Sequence, residues 1–358
     1  MLKSKYCVPS LLLPSFTLIG VLSGCSGGSP PPVTFSLTDL GTLGGNQSYG
    51  CAINEGGQVA GYSTTADDAD AHTVAWTGKA VADLGSMGGA SGCSQGINDA
   101  GQVAGFSPIA ATSDIHATLW TGTTLTDLGT IAGDHSSAVG INAKGQVAGN
   151  STFSDNSLEH AALWNGSTAT DLGTLGGQTS SATGINDSGW VVGYAETTGN
   201  SKTHAVLWKG TEPIDLGALG GDYSYAMAIN DHGVIVGYCV LGSNAGTHAT
   251  VWADTKISDL GTLGGQFSMA LGINDAGLVV GNAALEDKST HAALWIGKQI
   301  YDLNDMLGAS GRGWTLQEAR DINSAGQIVG WGDSPSGQKH AFLLTPTKPI
   351  PLSPAGGS

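Results

Sequence analysis

Three markers return in step along this chain. Asp-Leu occurs at Asp39, Asp83, Asp127, Asp171, Asp215, Asp259 and Asp302, in steps of 44 residues that close with one of 43. Ile-Asn occurs at Ile53, Ile97, Ile141, Ile185, Ile229, Ile273 and Ile322, and a histidine at His72, His116, His160, His204, His248, His291 and His340. Six of these histidines open a His-x-x-x-Trp segment, ending at Trp76, Trp120, Trp164, Trp208, Trp252 and Trp295. Chance does not hold three separate markers in register over so long a stretch. A period of this size means that each unit is one supersecondary element, which cannot bury its faces alone and needs its neighbours to cover them.

Each unit reads as four short strands. The first ends at Ile-Asn and is followed by a turn with Gly at its fourth position, as in Asn186-Asp187-Ser188-Gly189. Gly there supplies the positive φ that a tight hairpin demands. The second strand is rich in β-branched residues, as in Val234-Ile235-Val236-Gly237. A variable loop leads to the third strand, His-x-x-x-Trp, and a second tight turn such as Trp164-Asn165-Gly166 leads to the fourth, which carries Asp-Leu-Gly. No segment sustains a helical period. The first strand alternates small residues, Ala138 and Gly140, Ala182 and Gly184, Ala226 and Ala228, Ala270 and Gly272, as crowding near a common axis requires. Four antiparallel strands per unit of this length predict an all-β, seven-bladed β-propeller. The ends fit closure: the chain opens with an isolated fourth strand around Asp39 and ends after a third strand beginning at His340. The N-terminal strand is therefore predicted to close the ring, removing exposed edges. A linear β-solenoid is the alternative, and it needs no complementary ends.

The domain organisation follows. Residues 1–24 read as an export signal, with Lys3 and Lys5 before an apolar run broken by Pro9 and Pro14 and too short to span a bilayer. Leu22-Ser23-Gly24-Cys25 resembles a bacterial lipobox. The resemblance implies cleavage before Cys25, acylation of its thiol and anchoring to a lipid bilayer, with Ser26 implying sorting to the outer membrane or cell surface. Residues 25–35 read as a flexible tether, 36–346 as the propeller and 347–358 as a disordered tail. Only 12% of residues are charged, and the net charge is −16. Losing residues 1–24 would make it −18, with 11 Lys+Arg against 29 Asp+Glu. So acidic a chain repels phosphate, and no nucleic-acid partner is expected.

Several motifs resemble the bacterial extracellular HAF repeat. His340-Ala341-Phe342 is its His-Ala-Phe triplet, replaced elsewhere, as in His116-Ala117-Thr118. Gly-Thr-Leu-Gly-Gly at 41–45, 173–177 and 261–265, and Gly313-Trp314-Thr315-Leu316 before Asp321-Ile322-Asn323, are also similar. The resemblance covers roughly 36–346. It implies export and a surface location, and it implies no activity.

Seven histidines, seven aspartates and six tryptophans look like an active-site inventory, but a catalytic centre is needed once and a structural lock once per blade. Asp83, His116, Asp127, His160, Asp171, His204, Asp215 and His248 are therefore predicted to lock blades by pairing the Asp of strand four with the His of strand three, joined by a Ser before strand one (Ser48, Ser136, Ser180, Ser224, Ser268). The composition is similar to the Asp, His, Ser/Thr and Trp network of WD-repeat propellers. No metal site and no cofactor is expected. Asp67, Asp68 and Asp70 cluster in one loop, and Asp155 and Glu159 in another; solvated acids are the favoured reading, with calcium, which takes several oxygens, the alternative for the first cluster. Cys51 and Cys93 fall at the same strand parity, which disfavours a bridge between stacked blades. Arg312 and Arg320, beside Glu318, read as a clasp at ring closure. Ligands should meet the parts that differ between units, the connections and the loops. Tyr223, Tyr225, Phe267, His135 and Asp222 are the candidate contacts, since aromatic anchors dominate interfaces. The favoured reading is a monomeric binding module for glycan or protein; the alternative is an extracellular glycan lyase or hydrolase on the same scaffold.

Overall fold

The computed structural model describes residues 33–352, apart from 69, 90, 91, 111, 113, 154, 155, 157, 243, 244 and 255. The expected signal and Cys25 lie outside the described residues. Among the described residues the chain is all-β, with helix confined to short 3-10 turns.

Each repeat folds as an antiparallel meander. In one, Gly176–Ile185, Val191–Thr197, Thr203–Lys209 and Glu212–Asp215 pair in that order. The turn between the first two strands holds Gly189 at φ 84°, a conformation cheap only for glycine. Gly193 answers a different need: a Cβ there would lie 1.9 Å from the Ser181 carbonyl oxygen. The last repeat, Thr315–Ile322, Ile328–Asp333 and Lys339–Pro346, takes its fourth strand from the other end of the chain. Phe35–Asp39 lies antiparallel to Lys339–Pro346, with Asp39 opposite Phe342, the register that Asp215 takes opposite Val206.

Every first strand carries a bulge. Its register shifts between Gly50 and Ala52, Ser94 and Gly96, Ala138 and Gly140, Ala182 and Gly184, Ala226 and Ala228, Ala270 and Gly272, and Ala319 and Asp321. The small residues noted in the sequence flank this extra residue. Strand parity therefore changes sign in mid-strand, a point that matters for the cysteines.

The core lies between repeats. Leu172 and Ala161 of one repeat pack with Ala182, Val191, Val206 and Trp208 of the next, and each repeat boundary has such a cluster. The last meets the first through Val329, Ala341 and Leu343 against Val59, Val74 and Trp76. The six tryptophans are all buried here. Among the described residues the cluster between the first two repeats is the smallest, with Ala60, Val103 and Trp120. Beside it opens a cleft of ≈ 260 Å³ lined by Ala75, Val81, Val103 and Trp120. Ala75 stands where later repeats have Leu119, Leu163, Leu207, Val251, Leu294 and Leu343.

A cycle of asparagines joins the repeats. The Nδ2 of Asn54 donates to the Asn98 carbonyl, Asn98 to Asn142, Asn142 to Asn186, Asn186 to Asn230 and Asn230 to Asn274, each at 3.1 Å. Asn274 donates to Asn323 at 2.9 Å, and Asn323 returns to Asn54 at 3.1 Å. All seven are 3–5% exposed. The head and tail of the chain thus meet both at this cycle and at the Phe35–Asp39 strand.

The folded part reaches beyond 36–346 at both ends. Val33 and Phe35 alternate into the core beside Leu303 and Met306, so the predicted tether boundary moves to Val33. Thr347, predicted to begin the tail, donates its amide to the Thr34 carbonyl at 2.9 Å, and Ile350 packs on the same core.

Candidate binding rim

The His and Asp of each repeat meet because strands three and four are adjacent and in fixed register. His116 Nδ1 lies 2.9 Å from Asp127, His160 2.9 Å from Asp171, His204 2.9 Å from Asp215 and His248 2.8 Å from Asp259. His72–Asp83 is 2.7 Å, His291–Asp302 2.6 Å and His340–Asp39 3.0 Å, the last across the two chain ends. The Asp302 hydrogen bond raises the His291 pKa against the opposing effect of burial. Each Asp also accepts from a backbone amide, as Asp215 does from Gly217 at 2.8 Å.

The serines act differently from the expectation. Ser224 accepts from the Ala205 amide and donates to the Gly217 carbonyl, both at 2.8 Å. Ser136, Ser180 and Ser268 do the same one repeat apart, and Ser48 accepts from Ala341. Each hydroxyl therefore hooks the backbone of the preceding repeat and does not join the His and Asp side chains. The tryptophans stay out of the network too: among the described residues the indole N–H groups of Trp76, Trp120, Trp164, Trp208 and Trp252 meet no acceptor, and Trp295 donates to the Leu260 carbonyl at 3.0 Å.

The connections between repeats and the loops between strands two and three share one end of the molecule. Asn46 donates its amide to Asp68 at 2.7 Å, Asp134 to Asn156 at 2.9 Å and Gln178 to Asn200 at 3.0 Å. This rim carries the candidate contacts. His135, Tyr223 and Phe267 occupy the same place in three repeats, directly before the serine hook, each bridged in parallel to the preceding third strand at Ile115, Thr203 and Thr247. They belong to three different repeats. His135 Nδ1 accepts the Ile115 amide at 3.3 Å. Asp222 pairs with Lys202 at 2.9 Å, which lowers the Asp222 pKa. Tyr223 is 43% exposed. Tyr225 turns inward, edge-on to Tyr194 at 5.0 Å and stacked on Tyr238 at 4.8 Å. Burial raises the pKa of both Tyr225 and Tyr238.

The loop acids are absorbed by local bonds. Asp68 is held below its ordinary pKa by the Asn46 amide and the Thr64 hydroxyl, and Asp67 accepts from Thr65. Burial raises Glu159, and Asp155 lies outside the described residues. Among the described residues, no group of three His, Cys, Asp or Glu is placed to hold a metal.

Sequence reasoning missed one polar group, and it named another, Glu318, only as the neighbour of Arg312 and Arg320. The asparagine cycle was visible only as a recurring turn residue. At the last repeat, buried Glu318 accepts from Asn282 at 2.9 Å, Trp331 Nε1 at 3.2 Å and Arg320 at 3.3 Å.

No family model and no curated protein matches the chain. Solved structures do resemble it. TolB from Acinetobacter baumannii aligns at 12% identity and TM-score 0.42, over 70% of this chain and 64% of its own. The Pyrococcus horikoshii acylaminoacyl peptidase aligns at 11% and 0.49, over 84% and 52%. The chain thus spans less than two thirds of either. The fungal Aleuria aurantia lectin, described as a six-bladed β-propeller, aligns at 12% and 0.35, over 92% and 100%. Likeness at this level carries no inference about ligand or reaction.

Proposed function

We propose that this chain is a seven-bladed β-propeller of the HAF-repeat type, exported, held at the bacterial surface by acylation of Cys25, and acting as a monomeric binding module for glycan or protein. The His–Asp pairs, serine hooks and asparagine cycle recur around the molecule, so they belong to the scaffold. Recognition belongs to the rim, where the repeats differ. One observation carries this reading: Tyr223 keeps a large aromatic face in solvent at 43% exposure, beside the Lys202–Asp222 ion pair. An aromatic ring with a donor and an acceptor next to it suits a sugar face or a peptide.

The test is a glycan array and a peptide array probed with the purified chain and with its Tyr223→Ala variant. A ligand class bound by the first and lost at least about tenfold by the second, roughly 1.4 kcal/mol, supports the reading. A ligand held equally by both removes Tyr223 from the site, and silence on both arrays overturns the proposal.

A further inference from the structure

We propose that Cys51 and Cys93 form a disulfide that staples the first repeat to the second. Simple alternation puts the two residues on the same side of equivalent strands, where they could not meet. The bulge reverses this. Cys51 is itself the extra residue between Gly50 and Ala52, whereas Cys93 precedes the bulge of its own strand and pairs with Phe106. The change of parity turns the two side chains toward each other across the seam, and the thiols hydrogen-bond there.

The seam is also the one where a covalent link matters most. Among the described residues its apolar cluster is the smallest between repeats, and the Ala75 cleft lies alongside. Ser94 already donates across it to the Gly61 carbonyl at 2.7 Å. The third described cysteine, Cys239, is buried between the fourth and fifth repeats, in a cluster without another cysteine, and serves as an internal control.

The chemistry is a two-step exchange with a low-molecular-weight disulfide. Cys51 keeps some solvent contact, while Cys93 is only 2% exposed, so Cys51 attacks first. The hydrogen bond from Cys93 lowers its pKa, burial opposes this, and Arg320 adds to the lowering. Its thiolate breaks the oxidant's S–S bond, forms a mixed disulfide and releases one thiol. The Cys93 thiolate then attacks the Cys51 sulfur and expels the second thiol. Two protons and two electrons pass from the protein to the oxidant, which leaves as two thiols.

The experiment treats the purified full chain with oxidised glutathione under native conditions. Remaining thiols are alkylated in denaturant, and the digest is mapped by mass spectrometry. The expected result is a Cys51–Cys93 linked peptide with Cys239 alkylated, and a melting temperature raised by roughly 5 °C. Cys51→Ser and Cys93→Ser should each abolish both the link and the shift. Recovery of Cys51 as a free thiol, as a stable glutathione adduct or linked to any other cysteine overturns the proposal. So does a linked chain that melts no higher than the reduced one.

Discussion

Asn186 accepts from the Trp190 and Ser188 amides at 3.0 and 3.1 Å and donates to Asn230 at 3.1 Å, all from a buried position. Removing it strands the half-buried Trp190 amide and the buried Asn230 carbonyl, and each orphan shielded from water costs about 1–3 kcal/mol. The His204–Asp215 pair is shorter, but its carboxylate is 44% exposed and also held by Gly217; water can replace much of what the imidazole offers. Asn186→Ala should therefore lower stability by about 2–4 kcal/mol and His204→Ala by about 0.5–1.5 kcal/mol, read from urea melts. Equal losses, or the reverse order, would return the histidines to the principal locking role. The sequence displays both residue types with the same regularity, so their ranking was not legible there: burial separates them, and burial depends on the neighbouring repeat. Asp321 adds a dependence on pH. Burial raises its carboxyl from 3.8 to about 6, although the Ile53 and Ile322 amides donate to it at 3.0 and 2.9 Å. A raised carboxyl favours the neutral form in the fold. Its stabilising effect is complete below the unfolded value and is lost as pH rises through about 6. Between pH 4 and 7 the folded chain should lose at most about 3 kcal/mol from this group. His291, also raised, acts in the same direction, so the decisive comparison is with Asp321→Asn, whose melting curve should vary less over that interval. Parallel pH profiles would dismiss the carboxyl as the cause.

Strand positions and turn residues could be read from the sequence because they depend on near neighbours: Gly189 marks its turn, and the His-x-x-x-Trp segment alternates inward and outward. The bulges were not legible, since an extra residue in a strand shows only against its partner. Ala138 and Gly140 read as small because of crowding, and Gly140 is crowded indeed: a Cβ on Gly96 of the preceding repeat would lie 3.0 Å from its Cα. The same pair also brackets the register shift. Simple alternation along the strand, which put Cys51 and Cys93 on one face, leaves such a shift out. Ala75 offers a stability test for one strand. Leu at this position would fill part of the neighbouring cleft as Leu119 and Leu163 fill theirs. Ala75→Leu should raise stability by about 1–2 kcal/mol, measured by thermal or urea melts. A lowered midpoint would mean that the strand backbone, not the missing side chain, sets the width of that cleft.

Among the contacts that join head to tail across the molecule, two are independent of each other. One is the Phe35–Asp39 strand, foreseen from the missing fourth strand of the last repeat. The other is the Asn323–Asn54 bond, which was not foreseen, because a hydrogen bond between residues so far apart leaves no local trace. Deleting residues 33–40 tests the first device. It bares the edge of Lys339–Pro346 and uncovers Phe342 and Leu344. The shortened chain should melt at lower temperature and associate through the open edge, seen as larger species in size-exclusion chromatography. A monomer with an unchanged midpoint would mean that the remaining contacts between the last repeat and the first, the asparagine cycle, the Ser48 hook and their shared apolar cluster, suffice. The rim residues remain the least legible part at this scale: His135, Tyr223 and Phe267 could be picked out as different from their counterparts, but how they stand to one another comes from the arrangement of whole repeats.

The opening between Thr34 and Thr347, whose backbones are hydrogen-bonded at 2.9 Å, is one gap among several comparable ones. Each hairpin such as Asn165-Gly166 bridges the same pair of strands that Asp39 and His340 bring together without a covalent turn. A permuted gene that joins the present ends and starts instead at Gly166 would ask the chain to fold with its nick moved a few repeats around, and nothing in the pairing of its strands distinguishes one location from another.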